Sequence, residues 1–279
     1  MSPPRRLTND EALDEPIAWT PDSKAVLFIS NRNGTWGLFK QGIGQGSADP
    51  IVTGPQDITE AVFSADGAWI LYHEIPKQPS TERRLMRVAV NGGVPQFVMD
   101  MRLARGVLNY GCARAPASLC VVLETAQDEK QLTLTAFDPL KGRGKVLRTL
   151  EKDPSAEYLF MPRLSPDGST FALPRTGEAG IHIHLLSLSG GADGEIAVKG
   201  WPHPASGLEW APDGKGLYCG SSSPQGSTLL YVDLKGNTRP LWENKGFGGP
   251  VSGIPSPDGR YLAIGGSVVN SNLWMLEGF

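Results

Sequence analysis

A chain of 279 residues with 26 basic and 29 acidic side chains has a formal charge of −3, which removes the electrostatic footprint of a nucleic-acid binder. Its 40% hydrophobic and 20% charged residues suffice for a packed core and exclude a largely disordered chain. No run reaches the roughly 18–20 apolar residues of a spanning helix, and residues 1–8 lack an apolar signal core, so neither a membrane nor export is expected and the location reads as cytoplasmic.

The 34 Gly and 23 Pro are spread along the chain, which predicts many tight turns between short strands. The first marked turn is Thr20-Pro21-Asp22-Ser23, followed by the apolar run Ala25 to Ile29. Ser64-Ala65-Asp66-Gly67 and Trp69 to Tyr72 repeat the pattern. A third unit keeps only Pro116 within Ala113 to Ala117, ahead of Leu119 to Leu123. Ser165-Pro166-Asp167-Gly168, Ala211-Pro212-Asp213-Gly214 and Ser256-Pro257-Asp258-Gly259 complete the series. Counted from Asp22 through Pro116 to Asp258, the steps are 44, 50, 51, 46 and 45 residues. Proline presets φ at the first central position of the turn, Asp accepts bonds from N–H groups just ahead, and Gly tolerates the positive φ of the reversal.

Each turn leads into a second strand and then a third, as at Leu85–Val90, Ile181–Leu186 and Leu273–Leu276. Glycine-rich turns introduce short fourth strands. Four strands and their turns fill a unit of about 45 residues, the period of a propeller blade. The expectation is an all-β, six-bladed β-propeller with four-stranded antiparallel blades. Its blades span about 14–54, 57–100, 107–150, 158–199, 205–243 and 250–279, the last closed by an amino-terminal strand at 4–8, all in one domain of 1–279.

These repeats resemble the β-propeller repeats of the TolB/Tricorn class, and the last unit is similar to propellers attached to bacterial kinases and winged-helix regulators. That resemblance implies a sensor or interaction module, alone or at the end of a longer bacterial protein; within an exported protein it would be periplasmic. The resemblance speaks for architecture, since one fold hosts many functions.

In such a blade the strand entering the turn is innermost, and the preceding connection reaches a rim of the central channel. The rim positions are Asp57, Glu60, Asn109, Tyr110, Glu157, Tyr158, Arg163, His203 and Glu209. Of these, Glu60, Tyr110, Arg163 and Glu209 fall within or beside apolar strands, where a charge or hydroxyl needs a partner. The principal reading is a non-catalytic module that binds a protein, peptide or small molecule at the channel mouth as a monomer, without a cofactor. The competing reading is a metal-assisted hydrolase of the esterase, lactonase or phosphotriesterase kind. It would use His203 and Glu60 for acid–base chemistry and Glu60 with Asn109 as Ca²⁺ ligands.

The remaining signals read as structural. Cys112, Cys120 and Cys219 are odd in number without Cys-x-x-Cys spacing, so reduced, buried thiols are expected. His182 and His184 share one face of a third strand, and two imidazoles so placed can hold a metal jointly, but no further ligand is near in sequence. His73, near the end of a second strand, reads as a packing residue. No Gly-x-Ser-x-Gly elbow or phosphate-loop fingerprint is present.

Overall fold

The repeated turns share one hydrogen-bond scheme. In five of them the residue two before the Asp position bonds through N–H to the carbonyl five residues on, as Thr20 to Ala25, Ser64 to Trp69 and Ser165 to Thr170 do at 2.8–2.9 Å. Asp167 Oδ1 accepts from Ser165 Oγ at 2.6 Å and Ser169 N at 3.0 Å, and Asp22, Asp66 and Asp258 repeat the pair. The hydroxyl bond first, and the backbone bond after it, hold these carboxyls below their ordinary range. Gly168 sits at φ 74°, while Ser23 takes the same left-handed region at 61° without being glycine. The third unit also turns: Ala113 N bonds to Leu119 O at 2.8 Å, so its loop is one residue longer than the others.

The structure, a computed structural model, describes residues 4–75, 82–102, 108–126, 130–151, 162–177, 180–201, 203, 205–223, 225–245 and 248–268. Five antiparallel sheets of four strands follow one another. They are β1 Asp14–Trp19, β2 Ala25–Ser30, β3 Gly37–Gly42 and β4 Asp49–Val52; then β5 Asp57–Phe63, β6 Trp69–Ile75, β7 Glu82–Ala89 and β8 Gln96–Arg102. The third contains β9 Leu108–Cys112, β10 Cys120–Thr125, β11 Gln131–Asp138 and β12 Gly142–Glu151. The fourth contains β13 Arg163–Leu164, β14 Thr170–Gly177, β15 Gly180–Ser187 and β16 Gly194–Ala197. The fifth contains β17 Ala205–Trp210, β18 Gly216–Ser223, β19 Gly226–Asp233 and β20 Thr238–Lys245. Alternation along the second and third strands sends apolar side chains to both faces, and the core is divided into clusters between neighbouring sheets.

The propeller has five blades, not the expected six. Over the described residues the last repeat unit supplies only the two-stranded sheet of β21 Gly248–Pro255 and β22 Leu262–Val268, and the expected strand at Leu273–Leu276 lies outside them. Strand β21 packs on the fifth blade and also touches β1. A Cβ on Gly220 would collide with the Val251 carbonyl, so glycine permits that close approach. Ser206 Oγ donates to Val251 O at 3.1 Å across the same seam.

The expected closure by residues 4–8 also fails, because the segment forms no strand. Its groups are engaged by the first blade: Gln41 Nε2 donates to Leu7 O at 2.8 Å, and Arg5 donates to Ile43 O at 2.6 Å. Leu7, the one strongly apolar side chain of that segment, packs against Trp19, Val26 and Ile254 and plugs the seam. The thiol expectation is likewise corrected. Cys112 and Cys120 are direct partners across β9 and β10 and form a disulfide, leaving Cys219 free and buried. Burial pushes the Cys219 thiol up to about 12, which leaves it unreactive.

Candidate functional site

The first strands of the units touch in succession, β1 with β5, β5 with β9, β9 with β13, and β13 with β17, so residues on them share a channel wall. The register of β5 on β6 slips between Ile58 and Ala61, so Thr59 and Glu60 fall outside the regular backbone pairing with β6. Such a bulge frees a side chain from the alternating pattern of the sheet. Glu60 is half-buried and its carboxyl is pushed above the ordinary carboxylate range by desolvation, an effect that the Arg163 charge opposes.

Tyr110 comes to Glu60 from the next blade. Its hydroxyl donates to the Glu60 carbonyl at 2.9 Å, and burial, reinforced by the Glu60 charge, raises its pKa well above 10. On its other side the Tyr110 ring meets His73 edge-on, with centroids 5.9 Å apart. His73 Nε2 lies 2.8 Å from Thr59 Oγ1, while the buried Nδ1 has no hydrogen-bond partner. Burial first, and the Arg83 charge second, lower the His73 pKa to about 4, so the ring is neutral at pH 7. His73 and Thr59 therefore belong to this wall, although strand alternation alone marks His73 as packing.

Arg163 is fixed from the fifth blade. Its Nε donates to Glu209 Oε2 at 3.0 Å, with both side chains about four-fifths buried. Glu209 Oε1 accepts from Trp210 N at 3.1 Å, and Trp210 Nε1 donates to Arg163 O at 3.0 Å. Side chain and backbone of Arg163 are thus both tied to one dipeptide, a preorganised arrangement for a guanidinium.

The other expected positions divide. Asp57 is committed to the junction of two blades, accepting from Trp36 N at 2.8 Å. Asn109 is 2% exposed, and its Nδ2 has no partner. His203 lies between the fourth and fifth blades, edge-on to Trp201 at 5.8 Å, and no hydrogen bond or ion pair joins it to Glu60. Glu157 and Tyr158 lie outside the described residues. Among the described residues no three His, Cys, Asp or Glu side chains form a cage for a metal ion. The described first strands carry Asp14, Glu15, Asp57, Glu60 and Glu209 against the single cation Arg163. Asp14 is neutralised locally by Arg32 at 2.9 Å, whereas Glu15 has its pKa raised by desolvation. The wall is acidic around one fixed guanidinium.

No protein-family model and no curated protein sequence matches the chain. Solved structures do share its fold. A TolB-type protein from Agrobacterium tumefaciens superposes with a TM-score of 0.68 at 17% identity, covering 95% of this chain and 94% of that one. TolB from Acinetobacter baumannii gives a TM-score of 0.64 at 14% identity; 86% of this chain is covered, but only 57% of the longer protein. An oligogalacturonate lyase in complex with manganese gives 0.52 at 17% identity, over 88% of this chain and 68% of that one. The chain is a β-propeller of TolB-like fold, and identities this low carry the fold alone.

Proposed function

We propose that the chain is a non-catalytic binding module that takes a protein, peptide or small molecule at the mouth of its channel. The reading is supported above all by Arg163, held by Glu209 and Trp210 in one position beside the desolvated Glu60 carboxyl. A fixed guanidinium flanked by carboxylates is a recognition surface: it gives paired hydrogen bonds to a carboxylate and repels a misplaced one. Glu60, Asn109, Tyr110, Arg163 and Glu209 form the proposed contact set, with His203 at its border.

A metal-assisted hydrolase is the second reading, favoured by one observation. A carboxyl whose pKa is raised by desolvation, as at Glu60, is suited to holding and passing a proton, and Asn109 on the neighbouring strand carries an amide able to join it on Ca²⁺. The oligogalacturonate lyase with manganese shows a related fold at work in an enzyme.

The two readings separate in one preparation. A random peptide library displayed on phage and selected on the folded chain is expected to yield sequences whose binding is lost in Arg163→Ala. Activated esters and phosphotriesters are expected to remain intact with or without added Ca²⁺, Zn²⁺ or Mn²⁺. Turnover that a chelator abolishes would overturn the binding-module reading in favour of the enzyme.

A further inference from the structure

Blade four holds a cluster remote from the channel strands. His182 and His184 alternate on β15 with Ile181 and Ile183, whose side chains are buried, so both imidazoles project from the opposite face and remain about one-third exposed. The residue missing from the sequence pattern comes from β16, where Glu195 is the direct cross-strand partner of His184. Its Oε1 lies 2.9 Å from His182 Nδ1 and 3.4 Å from His184 Nε2. Two ring nitrogens therefore converge on a single carboxylate oxygen.

We infer that His182, His184 and Glu195 form a binding site for a borderline divalent transition-metal ion of the zinc class. Bond lengths of about 2.0–2.2 Å from zinc to imidazole and carboxylate place neighbouring donors on a tetrahedron roughly 3.3–3.6 Å apart. The His184 separation of 3.4 Å matches that edge, and the His182 separation of 2.9 Å reaches it with a small opening of the pair. The carboxylate occupies the space between the rings, so among the described residues no cation cage is preformed. Glu195 is half exposed and free to withdraw by side-chain rotation, and Ala197 opposite His182 puts no long side chain in the way. Asp193 is engaged by Arg148 at 2.7 Å and supplies no ligand. Two imidazoles and one carboxylate select against Ca²⁺ and Mg²⁺, which need six or more oxygen donors, and leave water to complete the shell.

Titration calorimetry of the full chain, stripped with EDTA and checked for its folded circular-dichroism spectrum, tests the site with ZnCl₂ as probe. One Zn²⁺ per chain is expected, with affinity reduced about tenfold or more in His182→Ala and in His184→Ala, and by less in Glu195→Gln. An absence of Zn²⁺ binding, equal binding of Ca²⁺, or affinity unchanged in the His182→Ala/His184→Ala double variant would each overturn the assignment.

Discussion

The indole Nε1 of Trp19 donates to the carbonyl of Ile254 at 2.8 Å, across 235 positions of chain. Trp210 makes the same contact with Arg163 at 3.0 Å. In both cases the tryptophan stands three residues before its own turn Asp, and the acceptor four residues before the turn Asp of the preceding unit. At the first blade this repeat contact is what joins the two ends of the described chain. Tyr261 stacks on Trp19 with centroids 5.7 Å apart, and Ser23 Oγ accepts from Asp258 N at 3.1 Å.

Trp19→Ala should therefore cost about 3–5 kcal/mol, the usual loss for a buried tryptophan, and Trp19→Phe about 1 kcal/mol for the hydrogen bond alone. Urea unfolding of both variants gives the two numbers. A Trp19→Phe variant as stable as the wild type would mean that the indole N–H contributes nothing to the seam.

Deleting residues 1–8 should have a smaller effect, because no blade strand is removed. The Leu7 contact and two hydrogen bonds are lost, for a reduction of about 1–3 kcal/mol. Leu7→Ala should reproduce most of it, measured by the same unfolding curves.

His73 makes stability depend on pH. A buried imidazole whose pKa falls from 6.5 to about 4 stays neutral while the unfolded chain takes up a proton, so stability falls as the pH drops from about 6.5 towards 4. Between pH 7 and pH 5 this amounts to about 2 kcal/mol. His73→Gln keeps a polar partner for Thr59 and does not titrate there, so urea midpoints at the two pH values should converge in that variant.

The turns were legible in the sequence because their chemistry is local: Ser, Pro, Asp and Gly act within five residues, and each marks where one unit begins. The placement of residues 4–8 was not, because the Gln41 and Trp19 contacts that hold them are distant in sequence. The Cys112–Cys120 bond depends on the register of β9 against β10, which the longer third turn sets. Glu60, Tyr110, Arg163 and Glu209 stood out as polar residues in apolar strands, and the structure puts them on adjoining first strands. His73 did not stand out, since its edge contact with Tyr110 crosses two blades.

Arg163 couples the stability of the wall to its charge. Arg163→Met leaves Glu209 without its cation; in this partly solvated pair the loss should be about 2 kcal/mol, below that of a fully buried ion pair. A double-mutant cycle with Glu209→Gln isolates the pair and should return a coupling of about 1 kcal/mol. The same substitution removes the one cation that opposes the desolvation of Glu60, so the Glu60 carboxyl should titrate higher still. Because its folded pKa already lies above the ordinary 4.5, the folded state holds that proton more tightly, and stability declines as the pH rises from about 4.5 through the shifted value. Carbon-13 titration of the glutamate carboxyls, with Glu60→Gln for assignment, reads the change directly. A Glu60 resonance that titrates identically with and without Arg163 would show that the two charges do not act on each other, and would separate the Arg163–Glu209 pair from the rest of the proposed binding wall.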